Sequence, residues 1–161
     1  MSDFNTLTRD VLVRAKDRGI LIATAESCTG GMVGAALTAV PGSSAVYERG
    51  FVTYSNAAKR EMLGVAQATL DAHGAVSEEV AAEMALGALR NSSAHLAVSI
   101  TGIAGPGGSD HKPEGRVCFG IARKDTAPTA ETVDFGPLGR DAVRESATRH
   151  ALGLLATALA N

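Results

Sequence analysis

Residues 20–31 read ILIATAESCTGG, and this stretch decides the fold class of the chain. Its apolar beginning predicts a buried strand over 20–25, and the small residues that follow predict a helix over about 29–39. A serine, a cysteine and a threonine therefore lie beside two glycines at a strand-to-helix turn. The start of a helix offers unpaired N–H groups and a partial positive charge. The turn is therefore predicted to be either a phosphate seat or an oxyanion hole.

Helical and strand patterns alternate through the rest of the chain. Helices are predicted over residues 4–18, 56–63, 77–90 and from 140 onward, and strands over 45–54, 95–101, 116–124 and 131–135. Gly50 is predicted to form a bulge, and Gly87 to lie against a small, closely packed partner. These elements, without internal repeats, predict a single α/β domain over residues 1–161 with three α/β/α layers. The successive strands near 116–135 predict a mixed sheet.

The composition excludes several classes of protein. The chain has 161 residues, of which 45% are hydrophobic and 4% aromatic, and its formal net charge is −2. A nucleic-acid surface usually needs a basic patch, so no nucleic-acid partner is predicted. The sequence has no run of 18 apolar residues and no charged-then-apolar leader, which predicts a cytoplasmic protein without a membrane partner.

The cysteines and histidines predict neither a disulfide nor a metal site. Cys28 and Cys118 have no CxxC spacing, and the four histidines form no HxxxH or HExxH pattern. Cys28 could be a nucleophile, because thiols at helix N-termini have a lowered pKa. No histidine stands at an obvious position to assist it, so a buried structural thiol is the favoured interpretation.

Two residues later in the chain, Tyr54 and Lys59, could make Ser27 a nucleophile. Ser27 taken alone is more often a helix cap than a nucleophile. In the segment GFVTYSNAAK at 50–59, Tyr54 ends a strand and Lys59 lies near the start of a helix. Such a lysine is usually solvated. When burial lowers its pKa, however, a neutral lysine can deprotonate a serine hydroxyl, and a nearby tyrosine can relay a proton.

A second glycine-rich stretch, SITGIAGPGG at 99–108, predicts a strand that runs into a loop. Its glycines permit close backbone approach and leave N–H groups exposed, which suits a phosphate or a ribose. The spacing fits neither GxGxxG nor GxxxxGK[ST], so a dinucleotide fold and a P-loop are not predicted. As a bare pattern, a flexible loop is the more common interpretation.

Taken together, four motifs resemble those of the C-terminal domain of the competence/damage-inducible CinA proteins. They are AESCTGG at 25–31, GFVTYSNAAK at 50–59, GAVSE at 74–78 and SITGIAGP at 99–106. The resemblance runs from about residue 5 to residue 158, with the motifs in the expected order. Longer relatives carry an additional N-terminal domain that hydrolyses ADP-ribose, for which this chain is too short.

The resemblance implies an enzyme of pyridine nucleotide salvage that needs no cofactor. The reaction is hydrolysis of the amide of nicotinamide mononucleotide (NMN) to nicotinate mononucleotide and ammonia. Ser27 would be the nucleophile, and Tyr54 and Lys59 would activate it and move its proton. Resembling proteins also form dimers, which predicts a homo-oligomer.

The substrate-binding residues are our own hypothesis beside that resemblance. N–H groups around the first turn would stabilise the tetrahedral oxyanion, and the second glycine loop would hold the ribose phosphate or the carboxamide. The residues assigned to substrate binding are Thr29, Gly30, Gly31, Thr101, Gly102 and Gly105. Arg140 and Arg144 are either surface residues or reach a phosphate from a second subunit.

The sequence departs from the family pattern beside the second glycine loop. Glu114 replaces the valine of the usual KPVG, and the loop before it is shortened. A carboxylate near a substrate phosphate would repel it, so affinity or substrate preference would change if that loop binds phosphate. Two alternatives therefore stay open beside the NMN amidohydrolase: a non-catalytic nucleotide-binding module of the same fold, and an amidase for a different small amide.

Overall fold

The computed structural model describes residues 4–109 and 111–160, which form an α/β domain. Its helices are α1 (Asn5–Asp17), α2 (Met32–Thr38), α3 (Asn56–Leu63), α4 (Gln67–His73), α5 (Glu78–Arg90) and α6 (Arg140–Ala160). Its strands are β1 (Ile22–Glu26), β2 (Tyr47–Val52), β3 (Leu96–Gly102), β4 (Arg116–Arg123) and β5 (Thr129–Asp134). None of the helices in the described part of the chain is long and apolar enough to cross a membrane.

The strands form one mixed sheet in the order β2-β1-β3-β4-β5. Strands β2, β1 and β3 are parallel, whereas β4 is antiparallel to β3 and β5 is antiparallel to β4. The predicted α/β class and mixed sheet are therefore confirmed. Because β1, β2 and β3 are parallel, their carboxyl ends meet at one edge of the sheet, where ligands bind in open α/β folds.

Helices cover both faces of the sheet, which gives the three predicted layers. Helices α1, α2 and α6 pack on the face that carries the larger apolar residues of β1 and β3, such as Ile22, Val98 and Ile100. Helices α3, α4 and α5 cover the opposite face, where Ala23, Ala25 and Ala97 supply a flatter surface.

Gly87 in α5 explains how closely α3 and α5 approach each other. A Cβ atom added at Gly87 would collide with the carbonyl oxygen of Leu63, the last residue of α3. The predicted small, close partner of Gly87 is therefore the backbone at the end of α3. This approach fixes the position of α3, the helix that carries Lys59.

Helix α4 was not predicted from the sequence, because its start carries no local capping signal. Its N-cap residue, Ala66, has no side chain that can accept a hydrogen bond. Glu83 of α5 holds the start of α4 instead, since its carboxylate accepts from the Ala66 N–H at 2.9 Å and from the Thr69 hydroxyl at 2.5 Å. This support comes from a different helix, so no local pattern could reveal it.

The bulge predicted at Gly50 lies elsewhere in β2, and that prediction is wrong. Ile22 pairs with Tyr47 and Ala23 pairs with Arg49, so the extra residue is Glu48. Gly50 itself lies in regular register. Its missing side chain leaves room for the Tyr47 hydroxyl, which would collide with an added Cβ atom.

Candidate active site

The candidate active site is a cavity of about 360 Å³ at the carboxyl ends of the three parallel strands. Its lining comes from residues 27–28 after β1, from Tyr54, Asn56 and Lys59 after β2, from residues 75–76, from 101–109 at the end of β3, and from Arg140. All four motifs singled out in the sequence thus supply walls of one cavity. This is the edge at which parallel strands deliver functional side chains.

Ser27 and Lys59 meet in the buried wall of this cavity. The Lys59 ammonium donates to Ser27 Oγ at 3.2 Å and to the Thr53 carbonyl at 3.2 Å. Lys59 is only 2% exposed, so the interpretation of this residue as a solvated surface lysine is wrong. Helix α3 holds it there, because Ser55 caps the helix by accepting from the Ala58 N–H at 3.0 Å.

Burial changes the acid–base chemistry of Lys59. Removal from water disfavours the ammonium and lowers the pKa of Lys59 below its ordinary value, and Cys28 opposes this effect in part. A lowered pKa increases the neutral fraction of the amine at a given pH. Only the neutral amine can accept a proton from Ser27 Oγ, so this environment favours a general base.

Cys28 has the opposite tendency, although it lines the same cavity. Burial raises the pKa of its thiol to about 12, and the nearby Glu26 carboxylate also raises it. A thiol with that pKa stays protonated and is a poor nucleophile at neutral pH. Both cysteines are free and buried. The geometry therefore favours a structural thiol at Cys28 and leaves Ser27 as the candidate nucleophile.

Behind Ser27, the side chain of Glu26 organises the whole turn. Its carboxylate is 1% exposed and lies under the start of α2. One oxygen, Oε1, accepts from the Thr29 hydroxyl at 2.6 Å and from the N–H groups of Gly31 and Val33 at 3.2 and 3.0 Å. The other, Oε2, accepts from the Gly34 N–H at 3.1 Å. The unpaired donors of the helix start are thus satisfied from inside the protein.

This arrangement corrects the predicted oxyanion donors. The Gly31 N–H is bound to Glu26, and the Gly30 N–H donates to the Ser27 carbonyl at 3.0 Å, so neither group is available to a substrate. Thr29, Gly30 and Gly31 do not line the cavity. The N–H groups of Cys28 and Thr29, by contrast, form no hydrogen bond to another described residue. They are the donors that the turn leaves unused.

Arg144 of α6 holds the peptide that carries the Thr29 N–H, and the next peptide along the chain. Its guanidinium donates to the Cys28 carbonyl at 3.1 Å and to the Thr29 carbonyl at 3.3 Å. The Cys28 carbonyl and the Thr29 N–H belong to one planar, trans peptide, so they point in opposite directions. Fixing the carbonyl therefore fixes the direction of the N–H. Arg144 acts on the turn of its own chain, a role that sequence reasoning missed.

Tyr54 lines the cavity but does not contact the buried pair. Its side chain is 61% exposed, and its hydroxyl accepts from the Arg140 guanidinium at 2.7 Å. It makes no hydrogen bond to Ser27 or Lys59. Arg140 also donates to the Gly105 carbonyl at 2.6 Å. Tyr54 and Arg140 thus form one polar wall of the cavity.

The glycine loop at residues 102–109 forms the adjoining wall. Thr101, Gly102 and Gly105, the residues of this loop that were predicted to bind substrate, all line the cavity. The Thr101 hydroxyl donates to the Ala75 carbonyl at 2.8 Å, which ties the start of the loop to the segment before α5. Glu114 does not line the cavity, but its carboxylate accepts from the Gly107 N–H. The departure from the family pattern therefore touches the loop backbone.

The lining suits an anionic organic molecule. Lys59 and Arg140 are its basic side chains among the described residues, and none of its described residues is acidic. Within the same described ranges, no group of three or more His, Cys, Asp or Glu side chains could hold a metal ion. The sequence left Arg140 either at the surface or reaching a phosphate of a second subunit; it is exposed and lies in the cavity wall of its own chain.

Comparison with known proteins identifies the family of the chain. The family model of the CinA C-terminal domain matches residues 4–159. Nicotinamide-nucleotide amidohydrolase PncC of Escherichia coli strain K12 is 51% identical over 155 residues, which span 96% of this chain and 93% of that protein. A putative competence-damage inducible protein of Symbiobacterium thermophilum is 49% identical, and this chain spans 38% of its length.

A solved structure extends the agreement to the backbone. The competence/damage inducible protein from Agrobacterium tumefaciens has a TM-score of 0.94 at 46% sequence identity, with 99% of this chain and 96% of that chain covered. Fold, sequence and motif order therefore agree over nearly the whole length. The chain belongs to the CinA C-terminal domain family.

Proposed function

We propose that this chain is a nicotinamide-nucleotide amidohydrolase, which converts NMN and water to nicotinate mononucleotide and ammonia. The relatives with that name are 51% identical to it, and this chain spans 93% of the Escherichia coli protein. The observation that carries the proposal is the buried contact of 3.2 Å between Ser27 Oγ and Lys59 Nζ. It supplies a nucleophile and a base at a cavity suited to an anionic nucleotide.

In the first half of the reaction, Ser27 forms an ester with the nicotinoyl group. Neutral Lys59 removes the proton of Ser27 Oγ as this oxygen attacks the carboxamide carbon. The carbonyl oxygen becomes an oxyanion, for which the unused N–H group of Cys28, which lines the cavity, is the donor. The Lys59 ammonium then returns the proton to the amide nitrogen, the C–N bond breaks and ammonia leaves.

In the second half, water takes the place of the serine. Lys59, neutral again, removes a proton from a water molecule that attacks the ester carbon. Collapse of the second oxyanion breaks the bond to Ser27 Oγ, and Lys59 returns the proton to that oxygen. Nicotinate mononucleotide is released with the enzyme in its starting state. One base thus serves both steps, as in general acid–base catalysis by a single residue.

The nucleotide part of the substrate is assigned to the outer wall of the cavity. Arg140 carries a full positive charge beside the glycine loop, and its partners there are neutral, the Gly105 carbonyl and the Tyr54 hydroxyl. A guanidinium binds phosphate oxygens through charge-assisted hydrogen bonds. We therefore assign the phosphate to Arg140 and the loop, and the carboxamide to Ser27. Tyr54 supports Arg140 in this assignment instead of relaying the serine proton.

The experiment is to measure ammonia release from NMN in chelator-treated buffer. Wild type, Ser27→Ala and Lys59→Met are compared, because methionine fills the buried volume of lysine without an amine. Release by wild type alone is the expected result. If all three folded proteins release none, the assigned substrate is excluded. Binding of NMN without turnover would then favour a nucleotide-binding module, and turnover of another pyridine carboxamide would favour a different amidase.

Two further properties stay predictions. The family resemblance implies a homo-oligomer, and light scattering coupled to size-exclusion chromatography measures its mass. A cytoplasmic location is predicted from the composition, and fractionation of cells that express the tagged chain tests this prediction.

A further inference from the structure

The interaction between Glu26 and Thr29 lies outside the reaction steps described above. The Thr29 hydroxyl donates to the Glu26 carboxylate at 2.6 Å, and both residues are fully buried. Neither residue lines the cavity. A buried carboxylate is costly unless hydrogen bonds compensate for the lost water. The position of the buried Glu26 carboxylate next to the nucleophile Ser27 therefore needs a structural or functional explanation.

The partners of Glu26 show what its charge holds in place. Among the described residues it forms no ion pair with Lys, Arg or His, and its four donors all belong to the turn and the first residues of α2. Hydrogen bonds to a carboxylate are stronger and shorter than those to a neutral acceptor. One side chain therefore links residues 29–34 to the end of β1.

The sheet fixes the other end of the same turn. The Ser27 N–H donates to the Ile100 carbonyl at 2.9 Å, and the Glu26 carbonyl accepts from the Thr53 N–H at 2.9 Å. Ser27 thus leaves a rigid strand on one side and enters a segment held by the Glu26 carboxylate on the other. Between these two fixed ends lie the Cys28 and Thr29 N–H groups, whose directions depend on both.

We propose that Glu26, acting through Thr29, is a positioning residue for catalysis. Its carboxylate sets the backbone of residues 27–29, so that Ser27 Oγ faces Lys59 and the unused Cys28 N–H, in the cavity lining, faces the developing oxyanion. It does so without contacting substrate. This inference rests on the proposed amidohydrolase function, but the alignment of Ser27 can also be measured without NMN.

The Thr29 hydroxyl is the most selective place to test the link. Thr29→Val removes the hydrogen bond to Glu26, preserves side-chain shape and keeps the backbone N–H. Thr29→Ser restores the hydroxyl. Ser99→Ala is a matched control, because it removes another buried hydrogen bond, from the Ser99 hydroxyl to the Ala81 carbonyl at 2.5 Å, on the other side of the sheet.

We expect Thr29→Val to lower kcat about tenfold or more with KM changed less than about twofold, since small misplacements of reacting groups cost up to about a hundredfold. Thr29→Ser should recover most of the lost kcat. Ser99→Ala should lower the thermal midpoint of unfolding about as much as Thr29→Val does, while kcat stays within about twofold of the wild-type value. The proposal is overturned if Thr29→Val retains wild-type kcat, or if Ser99→Ala loses as much kcat as Thr29→Val.

A second measurement separates this inference from the choice of substrate. The probe is acylation by p-nitrophenyl acetate, followed as a burst of p-nitrophenolate, with Ser27→Ala as the background. We expect a Ser27-dependent burst that slows in Thr29→Val and slows more in Glu26→Gln. A normal burst in Thr29→Val overturns the positioning role even if NMN is hydrolysed. A slowed burst in Thr29→Val, together with no NMN hydrolysis by wild type, supports the positioning role and excludes NMN as the substrate. No burst and no hydrolysis in wild type overturn both.

Discussion

The two glycine-rich loops of this protein follow neighbouring parallel strands, yet their glycines lie differently relative to the cavity. In the turn after β1, residues 27–31, Gly30 and Gly31 donate to the protein itself. In the loop after β3, residues 102–109, Gly102, Gly105, Gly107 and Gly108 line the cavity. The glycines of the first loop are held by the buried Glu26 carboxylate and the Ser27 carbonyl, whereas those of the second form part of the cavity wall.

The difference suggests a division of labour between reaction and recognition. A turn held at both ends by internal hydrogen bonds is rigid, which suits a nucleophile that must be held in one orientation. A loop with an open face suits the part of the substrate that does not react. Changes near the first loop should therefore act on kcat, and changes near the second loop should act on KM.

Removal of the nucleophile should give the largest effect. Ser27→Ala is expected to lower kcat about 10⁴-fold or more, because nucleophile and base act as a unit. Affinity for NMN should change less than about tenfold, since the hydroxyl acts mainly in the transition state. Single-turnover ammonia release and isothermal titration calorimetry measure the two quantities. Affinity lost together with turnover would contradict the division, because recognition would then also belong to the first loop.

Lys59→Met should have the next largest effect and should act in opposite directions on activity and stability. Loss of the general base is expected to lower kcat by about 10²–10⁴-fold. In the wild type, kcat/KM should rise with pH and level off below the ordinary lysine pKa of 10.5, since burial lowers the pKa of Lys59. A pH–rate profile of the wild type measures this, and a flat profile would contradict the role as base.

The same substitution should raise the thermal midpoint at neutral pH. The folded protein binds fewer protons at Lys59 than the unfolded chain does, so the free energy of unfolding rises with pH toward 10.5. The cost of burying this lysine in its charged form is therefore present below that pH. Methionine removes the cost, and the gain should shrink as the pH approaches 10.5. Calorimetry of both proteins from about pH 6 to about pH 10, which approaches the ordinary lysine pKa from below, measures the two thermal midpoints. A lower midpoint for Lys59→Met than for wild type would contradict this prediction.

Arg140→Gln should act on recognition and leave the reaction intact. We expect KM for NMN to rise about 10- to 100-fold, the range for a hydrogen bond to a charged group, with kcat changed only a few-fold. Nicotinamide riboside, which lacks the phosphate, is the matched control substrate and should show no such rise. Steady-state kinetics on both substrates decide. An equal loss on both would place the contribution of Arg140 in the reaction or in the fold.

The sequence allowed the fold class and the meeting of Ser27 with Lys59 to be predicted, because strand and helix periods are local and motif order carries the family pattern. It did not reveal the contact between Tyr54 and Arg140, which are 86 residues apart. The direction of the Glu26 side chain was also hidden. An acidic residue before a helix start was visible, but whether its carboxylate faced the substrate or closed the turn depended on packing. Long-range contacts and side-chain direction are therefore what the structure adds.

The smallest effect is expected at Glu114, where the second loop also has a carboxylate partner. Glu114→Gln keeps an acceptor for the Gly107 N–H and removes only the charge, so the loop should keep its shape. Because Glu114 does not line the cavity, its repulsion of a phosphate is indirect and weakened by solvent. We expect KM for NMN to fall about two- to threefold at low ionic strength, and this gain to disappear in high salt. Nicotinamide riboside should be unaffected at any salt concentration. A change in kcat instead would mean that the second loop also aligns the reacting groups, and the division between the two loops would not hold.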